Sequence, residues 1–152
     1  MCVYLPPAIC HSRASELMPD SMHNLAKIYE DGRGELHTDM KQAVTLYSVA
    51  AARGFPLSQV NLGRLFLLGE DGVKRDREAG KRLLTLAAES GDCDAQMVVG
   101  MIYATAAFEC CNLPLAEYWL RQSLQGGKAD AEKLLVRVCQ QMQVVGQPCA
   151  AI

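Results

Sequence analysis

The chain has 152 residues, of which half are hydrophobic and only 6% are aromatic; this length suits one domain with a substantial core, and this composition favours packed helices over a β-sandwich. The formal net charge is −2, from 15 basic and 17 acidic side chains that are interspersed, so no basic stripe is present to neutralise phosphates and we expect no nucleic-acid partner. The apolar runs are far shorter than the roughly 18 residues of a membrane span, so we also expect no membrane span.

The first 20 residues precede the regular part of the sequence and form an N-terminal extension. Residues 1–10 contain two prolines and no charged side chain, so they do not resemble a signal peptide, although a leader could have been removed. Residues 8–17 are predicted to form a partial helix that packs on the first regular unit. The compartment therefore stays open: cytoplasmic, or periplasmic or secreted if a leader has been removed.

A spaced pattern of residues recurs along the rest of the chain with a fixed period. Asp39 is followed by a small residue four positions later, by an Ala pair and by a closing Gly54; Asp76 starts the same pattern 37 residues further on and closes it at Gly91. A period of this length is typical of stacked supersecondary units. The Asp residues are placed to cap a helix N-terminus and the Gly residues to end that helix, which we name helix B of each unit.

A second block of residues precedes each helix B and predicts a partner helix, which we name helix A. Leu25, Leu62 and Val99 lie 37 residues apart, and each is followed by a small residue and then by apolar residues at the third and fourth positions. This spacing forms one apolar helical face. The small residue, which is Gly63 or Gly100 in two of the units, is predicted to permit close approach of a neighbouring helix.

The third unit is less regular than the first two. Asn112 takes the Asp place, Trp119 takes the place of the core residues Leu46 and Leu83, and Gly127 takes the closing Gly place, with one residue lost from the period and no glycine in the turn. We predict a repeat domain over residues 21–143 and a flexible tail over residues 144–152. The domain consists of repeats at about 21–54, 55–91 and 92–127 and a terminal helix at 128–143.

These spacings resemble the Sel-one-like repeat, a relative of the tetratricopeptide repeat. The middle unit matches that pattern best, through Leu62, Gly63, Phe66, Gly69, Gly72, Val73, Asp76, Leu83, Ala87, Ala88 and Gly91. The resemblance implies an all-α fold, a right-handed α-α superhelix (solenoid) of about three helix-turn-helix repeats plus a terminal helix, with the A helices on its concave side. It also implies a non-catalytic adaptor, regulator or toxin-neutralising partner that binds other proteins.

Side chains of helix A that point away from helix B are the candidates for partner binding, because a stacked array presents one long surface to a bound peptide or helix. Asn residues there could hydrogen-bond a backbone, and Lys or Arg could meet acidic groups. The alternative is that they are ordinary solvated helix residues or, for Met and Val, part of the core. The candidates are Asn24, Lys27, Asn61, Arg64, Val98, Met101 and Arg137, with Leu134 beside the last of them.

The cysteines and histidines do not indicate a metal site or a catalytic site. None of the seven cysteines lies in a Cys-x-x-Cys motif, so a zinc ribbon or a redox motif is not indicated. Cys110 or Cys111 could form a disulfide with Cys139 in an oxidising compartment, because all three lie at the same end of neighbouring A helices; the alternative is buried free thiols. No nucleophile, P-loop or dinucleotide motif is present, so we predict no catalytic residue, no metal and no cofactor.

The predicted function is non-catalytic binding of another protein or peptide on the concave face formed by the A helices. One alternative is a structural subunit that self-assembles through the Met-rich part of that face and the irregular third unit. A second alternative, with less support, is an enzyme or a metal protein. The partner and the oligomeric state stay open at this level.

Overall fold

The computed structural model describes residues 18–32, 37–69, 72–105 and 111–146, and every regular element among them is an α-helix. The partial helix predicted at 8–17 and the predicted disulfide candidate Cys110 lie outside the described residues. The helices are α1 (Pro19–Asp31), α2 (Met40–Ala52), α3 (Pro56–Leu68), α4 (Arg77–Glu89), α5 (Cys93–Ala104), α6 (Leu113–Gln125) and α7 (Asp130–Val145).

Three helices begin at the capping residues that the repeat predicts. The carboxylates of Asp39 and Asp76 accept hydrogen bonds from backbone amides in the first turns of α2 and α4, at 3.1 and 2.9 Å. The side chain of Asn112 accepts the corresponding bond in α6, at 3.1 Å. Each cap satisfies an amide that has no partner inside the helix, and such caps contribute about 1 kcal/mol to stability. Asp92 caps α5 in the same way at 2.8 Å, which the repeat alignment did not predict.

The closing glycines end α2, α4 and α6 as predicted. Gly54, Gly91 and Gly127 have φ angles of 81°, 95° and 92°, a left-handed conformation that strains residues with a Cβ. After each glycine, the next backbone amide donates to a carbonyl in the last turn of the helix, as in a Schellman motif. These bonds run from Phe55 to Ala50, from Asp92 to Ala87 and from Lys128 to Ser123, each at 3.1 Å.

The helices belong to two compact units, residues 1–75 with α1 to α3 and residues 76–152 with α4 to α7. Within each unit every helix packs against the next one along the chain, and the short connections make packed neighbours run in opposite directions. The predicted all-α helical-repeat fold is therefore confirmed. In the second unit the buried core includes Ala116, Leu120, Ala131, Leu135, Val138, Cys139 and Met142.

Two details of the helices differ from the prediction. Helix α7 ends at Val145, two residues later than the predicted terminal helix. Leu83 and Trp119, which were predicted as core residues, are only half-buried. One residue further along a helix rotates a side chain by about 100°, and the largest fully buried side chain of each helix B is this next residue: Tyr47, Leu84 and Leu120.

Candidate partner-binding site

The candidate binding residues fall in both units, and their surroundings differ. In the first unit Asn24 and Lys27 are exposed on α1. In the second unit Val98 is half-buried on α5, and it does not line the clefts described below. The remaining candidates belong to a polar network in the first unit or to a cleft in the second.

A polar network in the first unit contains two of the candidates, Asn61 and Arg64. The Asn61 side-chain amide donates to the hydroxyl of Tyr47 at 3.2 Å, and that hydroxyl donates to a carboxylate oxygen of Glu30 at 2.7 Å. The guanidinium of Arg64 forms a salt bridge with the other oxygen of Glu30. The network joins α1, α2 and α3, so these two candidates already have partners within the chain.

Tyr47 lies at the centre of this network and is fully buried. Burial, followed by the hydrogen bond to Glu30, raises the pKa of Tyr47 above its usual range. The hydroxyl group therefore remains protonated across the pH range in which the protein is handled. It can donate to Glu30 and accept from Asn61 throughout.

Tyr47→Phe should lower the free energy of unfolding by about 1 kcal/mol, because Glu30 loses a hydrogen-bond donor and Asn61 loses its acceptor. Urea denaturation followed by circular dichroism measures this change. Tyr118, which is exposed on α6, provides the matched control, and Tyr118→Phe should change stability by less than about 0.5 kcal/mol. Equal effects of the two substitutions would show that the hydroxyl of Tyr47 is not stabilising.

A buried histidine and serine link α1 to α3 in the first unit. Nδ1 of His23 lies 3.0 Å from the hydroxyl oxygen of Ser58, and the imidazole packs against the rings of Tyr47 and Phe55 at centroid distances of 5.4 and 5.3 Å. The pair therefore joins two helices. Because both side chains are buried, it is not accessible to a substrate.

The stability of the chain should fall as pH decreases below about 6.5, the ordinary pKa of histidine. Burial, and secondarily the charge of Lys27, lowers the pKa of His23, while Glu30 and Asp20 oppose the shift. The unfolded chain then binds a proton that the folded chain rejects, so the stabilising contribution is present above this pH and is lost below it.

Urea denaturation at pH 7.5 and 5.5 measures this dependence. His23→Gln should reduce the loss of unfolding free energy between the two pH values. His37 is exposed, so His37→Gln should leave the loss unchanged. The same pH dependence in wild type and His23→Gln would assign the effect to other groups.

In the second unit, residues of α5, α6 and α7 line a cleft with a volume of about 420 Å³. Two candidates from successive A helices, Met101 and Arg137, line the same cleft, and both are exposed. Buried Leu120 and Val138 contribute to its wall. The lining consists of Met101, Ala104, Thr105, Leu120, Leu134, Arg137, Val138 and Gln141.

A second cleft adjoins the first and has a volume of about 440 Å³. The two share Ala104, Arg137 and Gln141 as lining residues. The exposed Val144 and Val145 at the end of α7 line the second cleft. Together the two clefts form a mainly apolar surface in which Arg137 is the one cation among the described lining residues.

Sequence reasoning missed two glutamines that connect successive helices. The side-chain amide of Gln59 on α3 donates to the carbonyl of Ala51 on α2 at 3.2 Å, and that of Gln96 on α5 donates to the carbonyl of Ala88 on α4 at 3.1 Å. Both glutamines are buried and lie 37 residues apart. Their spacing was therefore a signal that could have identified them from the sequence.

Comparison with known proteins identifies the repeats. The family model of the Sel1 repeat matches residues 19–55 and 56–92. A crystal structure of a Sel1 repeat protein from Oxalobacter formigenes superposes with a TM-score of 0.72, at 24% identity, over 86% of this chain and 96% of that chain. This chain is a Sel1 repeat protein.

Curated relatives of this Sel1 repeat protein include two yeast regulators. Chitin synthase regulatory factor 4 of Schizosaccharomyces pombe is 24% identical over 78% of this chain. Chitin synthase regulator SKT5 of Saccharomyces cerevisiae is 34% identical over 64% of this chain. The matched region covers only 18% and 15% of these relatives, so the chain spans less than a fifth of their length.

The cysteines of this Sel1 repeat protein are in two states among the described residues. Cys139 is disulfide-bonded, whereas Cys93 and Cys111 are free thiols. The alternative pairing of Cys111 with Cys139 is thus not formed. Within the described ranges, no group of three or more His, Cys, Asp or Glu side chains could hold a metal ion, and no helix is long and apolar enough to cross a membrane.

Proposed function

We propose that this chain is a non-catalytic module that binds another protein or peptide and acts as an adaptor or regulator. The observation that carries the proposal is the cleft of the second unit, in which Met101 and Arg137 from successive A helices lie together. An apolar cleft with a few polar groups is a common form of binding site. The printed names of the two yeast relatives, a regulatory factor and a regulator, support the same role.

The repeat domain is proposed to continue through a third repeat at 92–127 and the terminal helix. In support, α6 begins at a side-chain N-cap, Asn112, and is followed by the left-handed Gly127, just as α2 and α4 have Asp caps and closing glycines. The proposed binding surface in the second unit is therefore formed by the third repeat and the helix after it. In the first unit the exposed candidates Asn24, Lys27 and Arg64 form a separate proposed surface.

Photo-crosslinking tests this proposal. Met101 is 39% exposed in the cleft, and Leu86 on α4 is 52% exposed and does not line it. With benzoylphenylalanine at position 101, the protein in an extract of its native source should crosslink to a discrete second polypeptide, which mass spectrometry identifies. The same group at position 86 is the control. Crosslinking that is no stronger at 101 than at 86 would contradict binding in this cleft.

Self-assembly is the second candidate function, and one observation favours it. Val144 is 88% exposed at the end of α7, next to the clefts, and exposed apolar groups in a contiguous patch often mark interfaces. Light scattering of the purified chain distinguishes the two. A monomer supports the adaptor, whereas a dimer that Val144→Asp dissociates supports self-assembly.

A further inference from the structure

The polar network of the first unit and the cleft of the second unit are formed at the same repeat positions. Two periods separate the equivalent residues, with one residue lost in the turn that precedes Asn112. The repeat register then pairs Glu30 with Ala104, Tyr47 with Leu120, Asn61 with Leu134 and Arg64 with Arg137.

All four equivalents in the second unit line the cleft of about 420 Å³. In the first unit, their counterparts bond to one another and join three helices. The positions that hold an internal polar network in one unit therefore border an open cleft in the other.

The chemical change between the two units is specific. The carboxylate of Glu30 is replaced by the methyl group of Ala104, and the phenol and amide groups are replaced by leucines, while the guanidinium is retained as Arg137. Arg137 has no salt bridge with any residue in the described part of the chain. None of the described lining residues of either cleft is acidic.

We propose that this cleft binds a segment of a partner protein that presents an acidic side chain to Arg137 and an apolar side chain to Met101 and Leu134. The partner's carboxylate takes the role that Glu30 has toward Arg64 in the first unit. Charge-assisted bonds between guanidinium and carboxylate are among the stronger hydrogen bonds in proteins, and methionine adapts to differently shaped apolar groups. This inference rests on the proposed protein-binding function and specifies the class of partner.

Ala104→Glu tests the inference because it restores the carboxylate that the first unit has. The new side chain should pair with Arg137 from within the chain and compete with an acidic ligand. Ala104→Gln is the matched control, since it has nearly the same size and shape without the charge. Thermal denaturation of both variants checks that they remain folded.

The probe is a random peptide display library selected on the wild-type protein. Enriched peptides should combine Asp or Glu with a nearby Leu, Ile, Met or Phe. For the best of them, measured by fluorescence polarisation, Ala104→Glu should weaken binding at least about tenfold, and Ala104→Gln less than about threefold. Arg137→Gln should weaken binding of the acidic peptide but not of its Asp→Asn or Glu→Gln analogue.

Three results would overturn the inference: no enrichment, enrichment of peptides without acidic residues, or equal effects of Ala104→Glu and Ala104→Gln. The failure of the inference is distinguishable from failure of the proposed function. Neutral or basic peptides that bind at the cleft, together with a crosslinked partner at position 101, would leave protein binding in place and refute only the acidic class of partner.

Discussion

Replacing Leu120 with alanine should lower the free energy of unfolding by about 2–5 kcal/mol. Leu120 on α6 has no exposed surface and belongs to the core cluster of the second unit with Leu135 and Val138. The substitution removes buried apolar atoms and leaves a cavity that the packed helices fill only in part, so the lost transfer free energy and the cavity both contribute. Urea denaturation followed by circular dichroism measures the loss.

Leu86→Ala is the control for Leu120→Ala, since it makes the same chemical change at an exposed position of α4. It should change stability by less than about 0.5 kcal/mol. Hydrogen exchange of the α6 and α7 amides reports whether the destabilisation is located in the second unit. A loss below about 1 kcal/mol for Leu120→Ala would mean that this side chain is less well packed than its burial indicates.

Gly100→Leu should also destabilise the chain, by about 1–3 kcal/mol. Gly100 is buried on α5, and a Cβ at this position would lie 2.7 Å from Cγ of Leu120 and 3.3 Å from the carbonyl oxygen of Ala116. These distances are shorter than normal contacts, so the Leu120 side chain must shift or α5 and α6 must move apart. The gain in helix propensity on replacing glycine, about 0.5–1 kcal/mol, offsets only part of this cost.

A double-mutant cycle with Leu120→Ala tests the cause of that destabilisation. Removing the Leu120 side chain opens space next to position 100, so Gly100→Leu should cost less in the Leu120→Ala background than in the wild type. The two changes should therefore be non-additive by more than about 0.5 kcal/mol. Additive effects would show that contact with Leu120 is not the source of the strain.

The features that were predictable from the sequence are those for which backbone geometry restricts the residue type. The N-cap of helix B favours a short polar side chain, which Asp39 and Asp76 supply, and a left-handed closing residue is best served by glycine, as at Gly54 and Gly91. These requirements recur with every repeat. They leave a regular signature in the sequence, and the structure confirms them.

The polar network and the cleft were not predictable, because they depend on residues that differ between repeats. Glu30 contacts Tyr47 and Arg64, which are 17 and 34 positions away, and no local pattern marks this pairing. The alignment placed Arg64 and Arg137 as equivalent binding candidates. Their different surroundings follow from the residues at positions 30 and 104, which the sequence alone does not bring into contact.

The position of the largest buried side chain of helix B was missed for a different reason. Leu83 and Leu84 are adjacent and both apolar, so hydrophobicity does not distinguish the buried residue from its half-buried neighbour. Trp119 and Leu120 present the same ambiguity. Only the packing of the neighbouring helices selects the second residue of each pair.

In two of the repeats, a backbone hydrogen bond joins the two ends of the turn between helix A and helix B. The amide of Asp39 donates to the carbonyl of Tyr29 at 3.0 Å, and the amide of Asn112 donates to the carbonyl of Tyr103 at 2.9 Å, although the second segment is one residue shorter and has no glycine. Because this hydrogen bond joins main-chain groups, it can form whatever side chains lie between its donor and its acceptor. An epitope or affinity tag inserted between the two bonded residues would therefore leave the donor and the acceptor of this bond in place.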